Sequence, residues 1–136
     1  MSVKNCHLIK LPKFSDLRGN LSVVEGGQTI PFEIKRSFYM YNIAFNESRG
    51  EHAHKTLEQF LMVMSGSFRV KLNDGINVKT YSMIHPHIGL YICPKMWVRI
   101  FDFSAGAVCM VLASDHYDEH DYIRDYQEFL RIVKGE

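Results

Sequence analysis

Hydrophobic residues gather into short segments rich in β-branched and aromatic side chains, each closed by turn-forming residues. Segments over 6–11 (CHLIKL), 20–25 (NLSVVE), 35–43 (KRSFYMYNI), 51–55 (EHAHK) and 58–65 (EQFLMVMS) read as strands. So do 67–73 (SFRVKLN), 77–83 (NVKTYSM), 88–93 (IGLYIC), 96–102 (MWVRIFD) and 107–113 (AVCMVLA). Asn73-Asp74-Gly75 is a hairpin signal, and Ser65-Gly66-Ser67 marks another tight turn. Many short strands at this spacing predict a sandwich or a barrel. The stretch from Asp118 to Val133 differs, with acidic residues early and Tyr122, Tyr126, Phe129, Leu130 and Val133 at helical spacing. It predicts one or two helices packed outside the β structure. No linker, repeat or low-complexity tract divides the chain. One domain over 1–136 is expected, all-β over about 6–113 with a helical tail over about 118–134.

Composition narrows the function more than the fold. A formal net charge of +1, with no basic run, gives no reason to expect nucleic acid as a partner. An anionic ligand must then be held by a few placed arginines. Cys6, Cys93 and Cys109 are an odd number, widely spaced, with no CxxC. With no secretory signal visible, they point to free thiols in a reducing cytoplasm. The apolar runs are too short to span a bilayer, so no membrane partner is expected.

The chemistry centres on His52 and His54. Two residues apart on a strand, they face the same way, and both imidazoles enter one cavity if that face is inward. Glu58 follows four residues later, and Gly66 closes the segment. The run Gly50-Glu51-His52-Ala53-His54-Lys55-Thr56-Leu57-Glu58 to Gly66 resembles the first cupin motif, which implies a cupin-type jelly-roll barrel. Three readings of the pair remain open: surface histidines on an edge strand, a two-histidine, one-carboxylate metal site, and a pair of proton-transfer groups. A complete four-ligand metal site lacks a donor. The stretch Gly89-Leu90-Tyr91-Ile92-Cys93-Pro94, which resembles the second cupin motif, has no histidine, and His85 and His87 are expected to face solvent around Pro86. Imidazoles titrate near neutral pH and suit the third reading.

Nearly the whole chain, in order, resembles the sugar 3,4-ketoisomerases that act on thymidine-diphosphate-linked 4-keto-6-deoxyglucose. The resembling pieces are Asp16-Leu17-Arg18-Gly19-Asn20-Leu21, Ile30 to Tyr39, and Ser48-Arg49-Gly50-Glu51-His52-Ala53-His54-Lys55. Leu57-Glu58-Gln59, Gly89 to Pro94, and the tail from Leu112 to Arg124 complete the match. The resemblance implies a homodimer with exchanged N-terminal strands, no metal and no other cofactor, and a place in making 3-amino-3,6-dideoxy sugars for surface glycans. It puts His52 and His54 on the catalytic pair. Two departures stand out: Val98, where the family usually has His or Arg near the sugar, and Phe38, where it often has Tyr.

These readings combine into one mechanism. A neutral imidazole removes the C3 hydrogen, an enediol forms, and a proton returns to C4. His54 is assigned to the carbon transfer and His52 to the oxygens, an order that could be reversed. Arg18 and Arg49 are candidates for the diphosphate. Arg36 is a weaker one, Lys55 contacts phosphate or is solvated, and Tyr39 and Trp97 line the sugar or stack on thymine. Glu58 is expected to orient a histidine, while Phe60, Met62 and Met64 are expected in the core. The alternatives are a nucleotide-sugar 3,5-epimerase, a metal-dependent cupin dioxygenase and a binding cupin without catalysis.

Overall fold

The computed structural model describes residues 1–135. Its strands, in chain order, are β1 (His7–Lys10), β2 (Lys13–Asp16), β3 (Gly19–Ser22), β4 (Arg36–Tyr41), β5 (Arg49–His54) and β6 (Gln59–Ser65). There follow β7 (Phe68–Asn73), β8 (Val78–Met83), β9 (Ile88–Ile92), β10 (Trp97–Phe101), β11 (Val108–Ala113) and β12 (Tyr122–Ile123), then one helix, α1 (Tyr126–Val133). One sheet runs β1-β9-β6-β11-β4 and a second β12-β5-β10-β7-β8, all pairs antiparallel. Apart from the β7–β8 hairpin, successive strands from β4 to β11 alternate between the sheets, as expected of a jelly roll.

The amino-acid pattern explains which face each strand buries. β7 alternates strictly, with Phe68, Val70 and Leu72 buried and Arg69 and Lys71 exposed. β6 lies between two neighbours in the first sheet, and its first five residues, Gln59 to Val63, are all buried. Buried side chains of both sheets, among them Phe60, Phe68, Val70, Leu90, Met96 and Val111, form one contiguous cluster. Gly89 permits part of this packing, because a Cβ there would fall 2.1 Å from the Phe60 ring. The Asn73-Asp74-Gly75 signal does close the β7–β8 hairpin. The buried Asp74 carboxylate accepts from the backbone N–H groups of Ile76 and Asn77, and from Val3 at 2.8 Å, which ties down the N-terminus.

Two elements differ from the sequence expectation. Lys13–Asp16, outside every expected strand segment, is strand β2, paired only with β3 in a two-stranded sheet whose eight residues are all exposed. The expected helical stretch from Asp118 begins instead with a 3₁₀ turn at Glu119–Asp121 and the short strand β12, before α1 starts on an Asp125 cap. Here tertiary pairing with β5 overrides local helical spacing. A second apolar cluster, Ala53, Ile123 and Phe129, then seats α1 on the outside of the barrel.

Candidate active site

The site begins at a bulge. His52 pairs with Val98, but Gly50 pairs with Arg99, so Glu51 is an extra residue in β5. Gly50 and Glu51 both have positive φ, 87° and 58°, and a Cβ on Gly50 would lie 2.8 Å from the Val98 carbonyl oxygen. Only glycine fits there. The bulge brings the Gly50 carbonyl 3.0 Å from His52 Nδ1. That contact is a hydrogen bond when Nδ1 carries the hydrogen, which leaves Nε2 with a free lone pair.

Beyond the bulge the period of two resumes. His52 and His54 share the inner face, and their rings stand edge-on with centroids 5.0 Å apart. Ala53, between them, points outward into the α1 cluster. β12 supplies the third ring: Tyr122 pairs with His54, its centroid 4.3 Å from His54 and 5.0 Å from His52. Asp121 fastens β12 to the turn after β5. Its carboxylate accepts from Thr56 N at 3.0 Å, Thr56 Oγ1 at 2.8 Å and Leu57 N at 3.2 Å. Arg124 lies over the Tyr122 ring at 4.3 Å, held by two hydrogen bonds to Glu119 of 2.7 and 2.9 Å.

His52, Tyr122 and Arg124 border a cavity of about 310 Å³, within the range of small-ligand sites. Arg49, His52, Tyr122 and Arg124 give it a polar side, while Phe38, Leu61, Val98 and Val111 give it an apolar one. A larger groove of about 820 Å³ crosses Met62, Met64 and Met110 and contains no arginine. The smaller cavity alone joins an imidazole of the HxH pair to two guanidinium groups.

Burial sets the charge of the pair. His54, 4% exposed, is pushed down to about 4 by desolvation, then by its neighbour His52, with Arg36 and Arg124 adding to the fall against the opposing Asp121 carboxylate. Desolvation also lowers His52, partly offset by the Gly50 carbonyl. At neutral pH both rings are uncharged, able to accept a proton at one nitrogen and offer one at the other.

The structure brings together some of the expected residues and separates others. His52, Arg49 and Tyr39 border the main cavity, and Val98 is indeed one of its walls. Arg36 lies instead with His54 on a second, smaller cavity, its guanidinium 5.3 Å from the Phe38 ring. Arg18 stands on the exposed β2–β3 hairpin, bound to Asp16 at 2.7 Å, and Lys55 is exposed beyond β5. Trp97 does not line the sugar-sized cavity. It packs against Tyr126 and Phe129 of α1, because residues of β10 alternate and Val98 takes the inner face. Glu58 orients neither histidine: it accepts a 2.6 Å hydrogen bond from the Tyr91 hydroxyl. Among the described residues no three His, Cys, Asp or Glu side chains converge as metal ligands, so His52, His54 and Glu58 do not form the facial triad considered above. Phe60 and Met62 are core, but Met64 is half exposed.

Tyr122, Arg124, Asp121 and Gln59 were not anticipated at the site. β12 spans only Tyr122–Ile123, with Arg124 just beyond it, too short for a strand period to show, and helical spacing concealed it.

Comparison with known proteins places the chain in a family. Residues 4–134 match the family described as FdtA, WxcM-like, C-terminal. The chain is 45% identical over 126 residues to TDP-4-oxo-6-deoxy-alpha-D-glucose-3,4-oxoisomerase of Aneurinibacillus thermoaerophilus, covering 93% of this chain and 91% of that protein. It is 49% identical to the TDP-quinovose 3,4-ketoisomerase WlaRB of Campylobacter jejuni, with a TM-score of 0.90 over 94% of this chain and 98% of that one. A His-to-Asn variant of the 3,4-ketoisomerase QdtA of Thermoanaerobacterium thermosaccharolyticum, in complex with TDP-4-keto-6-deoxyglucose, is 40% identical. Its TM-score is 0.94, covering 96% of this chain and 95% of that one.

Proposed function

The chain belongs to the FdtA family, and from that premise we propose that it is a TDP-sugar 3,4-ketoisomerase, moving the carbonyl of TDP-4-keto-6-deoxyglucose from C4 to C3. The observation that carries the site assignment is the pair of uncharged imidazoles on one wall, 5.0 Å apart, beside a cavity bordered by two arginines.

The geometry supports the reverse of the order of roles first expected. His52 has Nδ1 on the Gly50 carbonyl and borders the main cavity, so its bare Nε2 is the base that takes the proton from C3. The C3–H electron pair forms the C3–C4 double bond, and the former carbonyl oxygen on C4 takes a proton from His54. In the second half His54 recovers a proton from the C3 hydroxyl as C3 becomes the carbonyl. His52 returns its proton to C4. Atoms and electrons balance, and each histidine ends as it began. Holding both rings uncharged before the substrate arrives avoids first removing a proton from an imidazolium.

Arg49 and Arg124 are the proposed donors to the diphosphate, since guanidinium forks match phosphate oxygens. Tyr39, at the cavity, is the proposed aromatic contact. Val98 offers the sugar no hydrogen bond from β10. The proposed partner is a second copy of the chain with exchanged N-terminal strands, which would cover the exposed β2–β3 hairpin and carry Arg18 toward the other copy's site. A reducing cytoplasm is the proposed setting. Cys6 and Cys93 sit with sulfurs 3.4 Å apart and unbonded, and the proposed route leads to amino sugars of surface glycans.

Replacing His52 by Asn tests the assignment. At saturating TDP-4-keto-6-deoxyglucose, kcat should fall by about 10²–10⁴-fold while affinity for TDP is unchanged. Wild-type turnover in that variant contradicts the assignment.

A further inference from the structure

We propose that the small cavity bordered by His54 and Arg36 is a water site, whose single water joins the two residues and fixes the hydrogen of His54 on Nδ1. The proposal rests on the ketoisomerase reading and concerns how its second imidazole is prepared for its task.

The cavity measures about 30 Å³, above the 10–15 Å³ or so that one water needs and too small for a sugar. Its walls are polar: besides His54 and Arg36 it meets Thr56, Asp115, Asp118 and Asp121. Two buried atoms on these residues have no hydrogen-bond partner among the described residues, His54 Nε2 and Arg36 Nε. Both residues border the same space, and His54 is 4% exposed, so bulk solvent does not satisfy its ring. Buried polar atoms without protein partners are the usual hosts of an ordered water with two to four contacts.

The chemistry of the partners orients that water. An arginine Nε–H can only donate, so the water turns a lone pair toward Arg36. Its hydrogens then point away from the cation, toward His54 Nε2 and the acidic wall. His54 Nε2 becomes the acceptor, and the ring's hydrogen resides on Nδ1. The two histidines thereby share one tautomer fixed by different anchors. His52 is anchored through Nδ1 and bares Nε2 to the main cavity as the base. His54 is anchored through Nε2 and keeps Nδ1–H as the donor for the sugar oxygens. Arg36 touches no substrate in this scheme. It is a positioning residue acting through the water.

Side-chain ¹⁵N NMR of histidine-labelled protein at pH 7.5 reads the tautomers without any substrate. The expected result is a protonated Nδ1 and bare Nε2 at His54, with the same pattern at His52. In Arg36→Met the His54 hydrogen should move to Nε2, wholly or in part, while His52 is unchanged. Turnover should then fall about tenfold with little change in KM, part of the 10²–10⁴ that a placed acid–base group supplies. Arg36→Lys, which keeps a cationic donor, should restore the wild-type pattern. A hydrogen on Nε2 of His54 in the unmutated protein overturns the proposal, as does an Arg36→Met spectrum identical to it. Should Arg36→Met fail to fold, the unmutated spectrum decides alone. Failure of the ketoisomerase reading appears separately, as undiminished turnover in His52→Asn.

Discussion

In the proposed mechanism two side chains carry the reaction, and their surroundings set when they can work. Desolvation holds His52 below its ordinary value and His54 at about 4, so both imidazoles are uncharged from neutral pH down to mildly acidic conditions. The catalytic form is lost only when a ring gains a proton. The acid limb of kcat/KM should therefore lie below pH 6.5, and a limb centred above 6.5 contradicts the assignment. Stability follows the same sign. An unfolded histidine takes up its proton near 6.5, before the folded one does, so the unfolded state binds more protons as pH falls. The stabilisation is intact above 6.5 and is lost between there and about 4, with His54 alone corresponding to roughly 3 kcal/mol. Urea unfolding across that window measures it. His52 and His54 were legible in the sequence because strand period is a local property. Their partners were not. That Glu58 would choose Tyr91, and Trp97 the helix, depends on residues 33 and 29 or more positions away, whose placement only the folded chain decides.

At the level of elements, the strands from β4 to β11 were readable because each has a run of apolar or alternating residues long enough to stand out from its turns. β12 was not readable, since two residues make no pattern and Tyr122 and Tyr126 imitate a helix face. β2 was hidden for a different reason: Lys-Phe-Ser-Asp buries nothing within one chain. The hairpin it makes with β3 exposes Phe14 and Leu21, with Leu17 at the turn fully in solvent. An isolated two-stranded hairpin is marginal in water, and apolar side chains displayed on one call for a covering surface. The proposed strand exchange with a second copy would provide it. The protein should sediment as a dimer at micromolar concentration, and Phe14→Asp with Leu21→Asp should shift it to monomer. A monomeric wild-type protein contradicts the exchange.

The whole molecule is a jelly roll that presents one strand, β5, so that its inner face serves chemistry and its outer face serves packing. Ala53 seats the helix, while His52 on one side of it borders the main cavity and His54 on the other the smaller one, and the bulge at Glu51 brings the Gly50 carbonyl to His52 Nδ1. The fold class followed from the number and spacing of strands, and Gly89 under the Phe60 ring is the kind of close approach that no periodicity announces. No helix among the described residues is long and apolar enough to cross a membrane. The reaction is defined by which hydrogens move. TDP-4-keto-6-deoxyglucose incubated with the protein in deuterated buffer, with the product followed by NMR, tests this directly. The expected product is a 3-keto sugar whose C4 carries the hydrogen that left C3, replaced by deuterium only as far as His52 exchanges it with solvent, and whose C5 hydrogen is untouched. Deuterium at C5, or a substrate whose carbonyl never leaves C4, would contradict the proposed reaction.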